Sequence, residues 1–211
     1  MLGTKVSFLP GRSPLEVDVV RQIFSIAKAS GFKAYLVGGA VRDAIDVGRR
    51  PAHSLKGEAG AIDFDFAVLP DSSNSSGGET KPDPAISLAL VVAEALAGHF
   101  VMLDQSNDIA RVVLVPTEPS EAQTYLDFAG CTQGSLERDI WRRDFTVNAI
   151  VFDAEQPEMV LDPTGGLQDL RDNIIRAVSV RQRRAHQLPQ AADRFPAGPG
   201  PADPGPRKIA A

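Results

Sequence analysis

The chain is poor in several residue types that usually announce a function. Its 211 residues include one cysteine, Cys131, one tryptophan, Trp141, and three scattered histidines, His53, His99 and His186. A single thiol excludes an intramolecular disulfide and fits a reducing cytoplasm, with Cys131 expected as a small buried filler rather than a nucleophile. The dispersed histidines suggest neither a histidine metal site nor a triad, and no Gly-x-Ser-x-Gly elbow or Cys–His signature occurs. No stretch approaches the roughly 18 apolar residues of a membrane span, and the N-terminus shows no signal-peptide pattern, so a cytoplasmic location is expected. A Walker lysine pattern and a Gly-x-Gly-x-x-Gly run are also missing, which removes the P-loop and dinucleotide-binding readings.

An apolar share of 43% is ordinary for a globular core. Charge is unevenly placed. Residues 181–211 hold six Lys/Arg against Asp193 and Asp203, a balance of +4, which leaves −9 on residues 1–180 of a total of −5. An acidic body does not look like a general nucleic-acid clamp, since neutralising phosphates needs clustered cations. It suits a site that holds a divalent metal.

The pattern of residues predicts an α/β fold of about 180 residues. Ser13-Pro14-Leu15-Glu16 reads as a helix start with a capping box, followed by Val19, Val20, Ile23, Phe24 and Ala27 at helical spacing, and Gly31 ends the helix. Strands are expected over 34–37, 61–69, 100–103, 110–115, 124–128 and 147–153, and helices over 85–98, 135–142 and 167–173. A short helix should also follow Gly38-Gly39, and a last apolar segment covers 174–178. Residues 71–84 read as a polar, mobile loop. After Ser179 the periodicity stops. Residues 181–211 contain six prolines, three glycines and seven alanines, so the organisation expected is one domain over 1–179 with a basic, Pro/Ala-rich, disordered tail over 180–211.

Three clusters carry chemistry. In Ile62-Asp63-Phe64-Asp65-Phe66 the two carboxylates share one face of a strand while both phenylalanines take the other. Oxygen-only ligands favour Mg²⁺, and two such ions about 3.5–4 Å apart can activate a hydroxyl and stabilise a leaving pyrophosphate. A solvated acidic strand edge is the commoner explanation of a bare Asp-x-Asp. Asp127, between inward-facing Leu126 and Phe128, is placed to be a third carboxylate or simply an exposed strand aspartate.

Gly38-Gly39 lies between a strand and a helix, where backbone N–H groups can approach a phosphate and Arg42 can fork onto its oxygens. A plain strand-to-helix turn is the alternative. In Arg142-Arg143-Asp144-Phe145-Thr146-Val147-Asn148-Ala149, Arg143 can meet phosphate, Asp144 can accept from ribose hydroxyls, and Asn148 can support the loop or contact the sugar. The same run could be a helix end with dipole-complementing arginines. Trp141 is expected to pack.

These motifs, with Leu36-Val37-Gly38-Gly39-Ala40-Val41-Arg42-Asp43 and Leu161-Asp162-Pro163-Thr164-Gly165-Gly166-Leu167-Gln168-Asp169-Leu170, stand in an order that resembles a known family. The chain resembles, from about residue 34 to 179, the N-terminal catalytic head of the bacterial-type (class II) tRNA nucleotidyltransferases, the CCA-adding enzymes. It is similar also to the related bacterial poly(A) polymerases; both groups belong to the DNA polymerase beta superfamily. The resemblance implies a mixed, mainly antiparallel sheet flanked by helices, with Asp63 and Asp65 as the Mg²⁺ carboxylates. Gly38, Gly39 and Arg42 would hold the triphosphate of CTP or ATP, Arg143 and Asp144 would contact the nucleotide, and residues 162–170 would link the head to a following domain. The reaction implied is attack of a tRNA 3′-hydroxyl on the α-phosphate, releasing pyrophosphate.

Two departures accompany the resemblance. Residues 48–60 should form an added loop. The family continues past the segment ending at Ser179 into a helical neck with a base-reading Asp-Pro-x-Arg-Leu-Leu-Arg-like motif and tRNA-gripping domains, whereas here a Pro/Ala-rich stretch follows. The expectation is therefore a truncated or frameshifted form with weak RNA binding, to be tested by sequencing the locus for the neck motif in another frame. A poly(A) polymerase head and an inactive remnant or interaction module are the alternatives.

Overall fold

A computed structural model describes residues 3–48, 61–71, 83–116, 118 and 122–178. The expected tail at 180–211 and most of the expected loops at 48–60 and 71–84 lie outside the described residues.

The strands are β1 (Thr4–Lys5), β2 (Phe32–Val37), β3 (Ile62–Pro70), β4 (His99–Asp104), β5 (Ile109–Leu114), β6 (Thr124–Gly130), β7 (Val151–Phe152) and β8 (Met159–Leu161). The helices are α1 (Asp18–Ala29), α2 (Gly39–Ala44), α3 (Pro84–Ala95), α4 (Leu136–Trp141) and α5 (Gly166–Asp172). The strands form one open sheet in the order β1-β8-β7-β2-β3-β6-β5-β4. Every pairing is antiparallel except β3 with β6. This is the mixed, mainly antiparallel sheet with flanking helices that the resemblance implied.

Period-two alternation explains the two faces of the sheet. Leu36, Phe64, Phe66, Leu126 and Phe128 turn to the larger core with Val20 and Ile23 of α1 and Leu88 and Val92 of α3. Phe66 stacks on Phe128 with centroids 5.3 Å apart, and Phe24 meets Phe66 edge-on at 6.0 Å. Fully burying each such ring contributes roughly 1.5–3 kcal/mol by the removal of apolar area from water. Val37 and Ala67 turn the other way, to a smaller cluster with Leu136 and Ile140 of α4. Asp63 and Asp65 share the parity of Ala67, so the carboxylates lie on the α4 side of the sheet.

Local departures have local causes. The expected helix from residue 14 is split: Pro14–Glu16 forms a 3-10 turn, Val17 is extended with its side chain against the core, and α1 restarts at Asp18. Glu16 still accepts from the Ser13 backbone N–H at 3.1 Å, as the capping box requires. The strand expected over 147–153 is only Val151–Phe152, because Thr146–Asn148 closes into a 3-10 turn. β1 and β8 escape sequence reading because each is so short; they pair with one another at the sheet edge. Trp141, expected to pack, is 46% exposed at the end of α4.

Candidate active site

β3 is the central support of the site. It pairs with β2 so that Asp65 faces Val37, and with β6 so that Asp65 faces Asp127 and Asp63 faces Tyr125. In a parallel pair the partners point to the same face. All three sequence-predicted carboxylates, Asp63, Asp65 and Asp127, are therefore brought to one side of two adjacent strands.

Gly38 follows Val37 directly and has φ +76° and ψ −145°, a conformation that suits glycine. A Cβ at Gly38 would lie 2.8 Å from Asp65 Oδ2. Conformation and crowding both demand glycine here, and both place the Gly38 backbone against the carboxylate. Gly39 opens α2, and Arg42 sits one turn later with its amide donating to the Gly38 carbonyl at 3.2 Å.

The Arg42 fork is held from two directions. Its Nε and Nη2 donate to the Asp43 carboxylate at 2.6 and 2.9 Å, and Nη1 donates to Asn148 Oδ1 at 2.7 Å. That last bond joins the glycine turn to the 142–149 run across 106 residues of sequence. Asn148 is thereby tied to the glycine turn.

Ser135 caps α4, with its hydroxyl accepting from the Arg138 amide at 3.4 Å. The buried Asp139 of α4 accepts from Arg142 Nε at 3.4 Å and from Arg143 Nη2 at 3.0 Å. Arg143 Nε is buried without a hydrogen-bond partner. Asp144 and Phe145 are tied to the segment after α5: the Val178 amide donates to the Asp144 carbonyl at 3.1 Å, and Phe145 bridges Ala177. Thr146 donates its amide to the Arg176 carbonyl at 2.9 Å and its hydroxyl to Asp169 Oδ2 at 2.7 Å. Asp162 accepts from the Gly166 and Leu167 amides at 2.7 and 2.8 Å and so starts α5.

Asp65 stays open to solvent at its outer side. The protein packed around it raises its pKa above the usual carboxylate value, the Asp127 and Asp63 charges add to this, and Arg143 and Arg111 oppose it. Both Asp127 oxygens are engaged: Arg111 Nε donates to Oδ1 at 2.6 Å and Nη2 to Oδ2 at 2.8 Å. Among the described residues no group of three or more His, Cys, Asp or Glu is arranged to hold a metal. The donor set at Asp63 and Asp65 nonetheless fits a divalent cation: two solvent-facing carboxylates, oxygen only, with their mutual repulsion to be relieved by positive charge. Burial pushes the Cys131 thiol up to about 12, as suits a filler.

Two cavities lie away from the carboxylates, one beside Phe24, Lys28 and Tyr35 and one beside Asp83, Asn107 and Cys131. The candidate site is an open face instead. Three of its supports have no role in the sequence reading. Asp139 was legible in principle, since it precedes Arg142 and Arg143 by three and four residues on a helix. Asp169 lies inside a recognised motif, and its use becomes visible only when α5 packs on Thr146. Arg111 had no signal at all.

The sheet order, the helices on both faces and the acidic pair beside a glycine turn define a mixed α/β head domain. A solved structure of a CCA-adding enzyme with ATP shares this fold, with a TM-score of 0.61 at 22% identity over 88% of this chain and 39% of that one. Residues 34–176 match the poly A polymerase head domain, and the chain belongs to that family. It is 37% identical over 147 residues to the CC-adding tRNA nucleotidyltransferase of Synechocystis sp., covering 70% of this chain and 28% of that protein. It is 32% identical over 184 residues to the CCA-adding enzyme of Streptococcus thermophilus, covering 87% of this chain and 39% of that one. The chain thus spans well under half the length of these relatives. Among the described residues no helix is long and apolar enough to cross a membrane.

Proposed function

We propose that this domain is the catalytic head of a tRNA nucleotidyltransferase, transferring CMP, and AMP where the reaction runs to CCA, from CTP or ATP to a tRNA 3′ end. The observation that carries this reading is the contact of the Gly38 turn with Asp65. A triphosphate held by the Gly38 and Gly39 backbone would lie directly beside the carboxylate pair.

Asp63 and Asp65 would hold Mg²⁺, which supplies positive charge to the attacking hydroxyl and the departing pyrophosphate when bound. Arg42, oriented by Asp43 and Asn148, offers its guanidinium to the triphosphate. Arg143, braced by Asp139, brings a second cation toward the same face, and Asp144 accepts from the ribose. The 3′-hydroxyl gives its proton to solvent as its oxygen attacks the α-phosphorus, the bond from that phosphorus to the bridging oxygen breaks, and pyrophosphate leaves. Catalysis of this kind is mainly positioning and charge stabilisation, which is what these residues are arranged to provide.

The two relatives described differ in name, one CC-adding and one CCA-adding, and CMP transfer is common to both. The test is extension of a tRNA lacking its terminal CCA by the purified 211-residue chain with CTP, ATP or both, read by product length. Nucleotide addition without sharp choice between CTP and ATP is expected, falling by at least about a hundredfold in Asp63→Asn and Asp65→Asn because each removes half of the metal site. Extension by A alone would show a base-reading contact within these residues. No turnover under any divalent metal would overturn the enzymatic reading in favour of a remnant or interaction module.

A further inference from the structure

Arg111 lies on β5, directly opposite Asp127 on β6, which is in turn the register partner of Asp65 on β3. The guanidinium grips both Asp127 oxygens at 2.6 and 2.8 Å, and its carbon lies 4.9 Å from the centroid of the Tyr125 ring. A planar fork seated on a carboxylate and backed by an aromatic ring is a well-defined geometry. Tyr125 is itself the register partner of Asp63. The whole assembly therefore sits in the row of residues that neighbours the candidate metal carboxylates.

A divalent cation approaching Asp65 would be drawn to Asp127 as well, one strand away on the same face. Arg111 opposes that by occupying one lone-pair direction on each Asp127 oxygen and neutralising its charge. We propose that Arg111 withholds Asp127 from the cation, so that the metal site is built on Asp63 and Asp65 and its affinity is set by this ion pair. The proposal rests on the metal reading of Asp63 and Asp65. Arg111 acts through Asp127 and is a positioning residue, not a catalytic one.

The experiment is Mn²⁺ binding to the full 211-residue chain, followed by the loss of the free-ion electron paramagnetic resonance signal and needing no turnover. Arg111→Gln should tighten Mn²⁺ binding by roughly three- to tenfold, the scale on which one half-exposed charge acts on a neighbouring site. The gain should vanish when Asp127→Asn and Arg111→Gln/Asp127→Asn are compared, because the released carboxylate is its source. Arg111→Lys keeps the charge without the fork and should give a smaller tightening, which keeps the test open if the glutamine variant does not fold. A folded Arg111→Gln or Arg111→Lys chain that binds Mn²⁺ no more tightly than wild type would overturn the proposal. So would a gain that persists in the Asp127→Asn background. Loss of wild-type binding in Asp65→Asn supports the metal reading separately, whereas absence of binding in both wild type and Arg111→Gln would overturn both.

Discussion

Gly38 and Asp65 are bound together by geometry. A methyl group on Gly38 would meet Asp65 Oδ2 at 2.8 Å while also forcing a side chain onto φ +76°. Gly38→Ala is therefore expected to cost about 1–3 kcal/mol of stability, the usual penalty for a strained backbone position, and to weaken nucleotide binding along with it. Urea denaturation and nucleotide titration would check the two effects, and an alanine variant matching wild type in both would refute the assignment. Asp65 makes a second prediction. Its pKa is raised, by the protein around it first and by Asp127 next, so the unfolded chain gives up this proton at lower pH than the folded one. Folded stability from this group is then present in acid and is lost as pH rises through the raised folded value. In EDTA, Asp65→Asn should be more stable than wild type at neutral pH, with the difference disappearing below the ordinary carboxylate range. Its solvent exposure keeps the effect modest. Thermal melts across pH would show this, and a less stable Asp65→Asn chain at neutral pH would count against it. At this scale the sequence was informative: Asp63, Asp65, Gly38 and Arg42 are legible because their spacing alone sets strand parity and turn position. Arg111 was not, since its partner is chosen by strand register.

Among the elements, α5 and the 3-10 turn at Thr146–Asn148 act together. Gly166 packs so closely that a Cβ there would overlap the Thr146 carbonyl. Buried Asp169 accepts from Thr146 Oγ1 and from the Arg176 fork, and these bonds hold its carboxyl below the usual carboxylate range. The sign is opposite to that of Asp65: the contribution is present above the unfolded value and is lost as pH falls through the lowered one. Asp169→Ala leaves the Thr146 hydroxyl without its acceptor and should cost about 1–3 kcal/mol near neutral pH. The variant should also lose less further stability than wild type on acidification, as chemical denaturation at two pH values would reveal. An unchanged acid limb would mean that another carboxylate governs it. The 147–153 stretch shows why element boundaries resist sequence reading. Its residues suit a strand, but the ties of Thr146 to Asp169 and Arg176 bend the chain first, and only Val151 and Phe152 reach the sheet.

For the whole molecule, one sheet carries two unequal faces, a large core beneath α1 and α3 and a smaller one beneath α4 with the carboxylates beside it. The described site gathers candidate partners for metal, triphosphate and ribose. No Asp-Pro-x-Arg-Leu-Leu-Arg-like run occurs in the 211 residues to distinguish bases. On the proposed reading this chain should bind CTP and ATP with dissociation constants within about threefold, because each shares the phosphate and ribose contacts and a base contact would be needed for larger ratios. Calorimetric titration in Mg²⁺ measures this directly, and a tenfold preference for either nucleotide would show that a base-reading contact exists within these residues. What the sequence by itself determined is the set of chemical groups and their local presentation: alternation turns Asp63 and Asp65 to one face and Phe64 and Phe66 to the other, and glycine permits the turn at Gly38. Tertiary structure alone decided which groups meet. The parallel β3–β6 register sets Asp127 beside Asp65, the β5–β6 register sets Arg111 on Asp127, and Arg42 reaches Asn148 across the fold. Such pairings depend on strand order and packing of the core, long-range choices that no local spacing encodes.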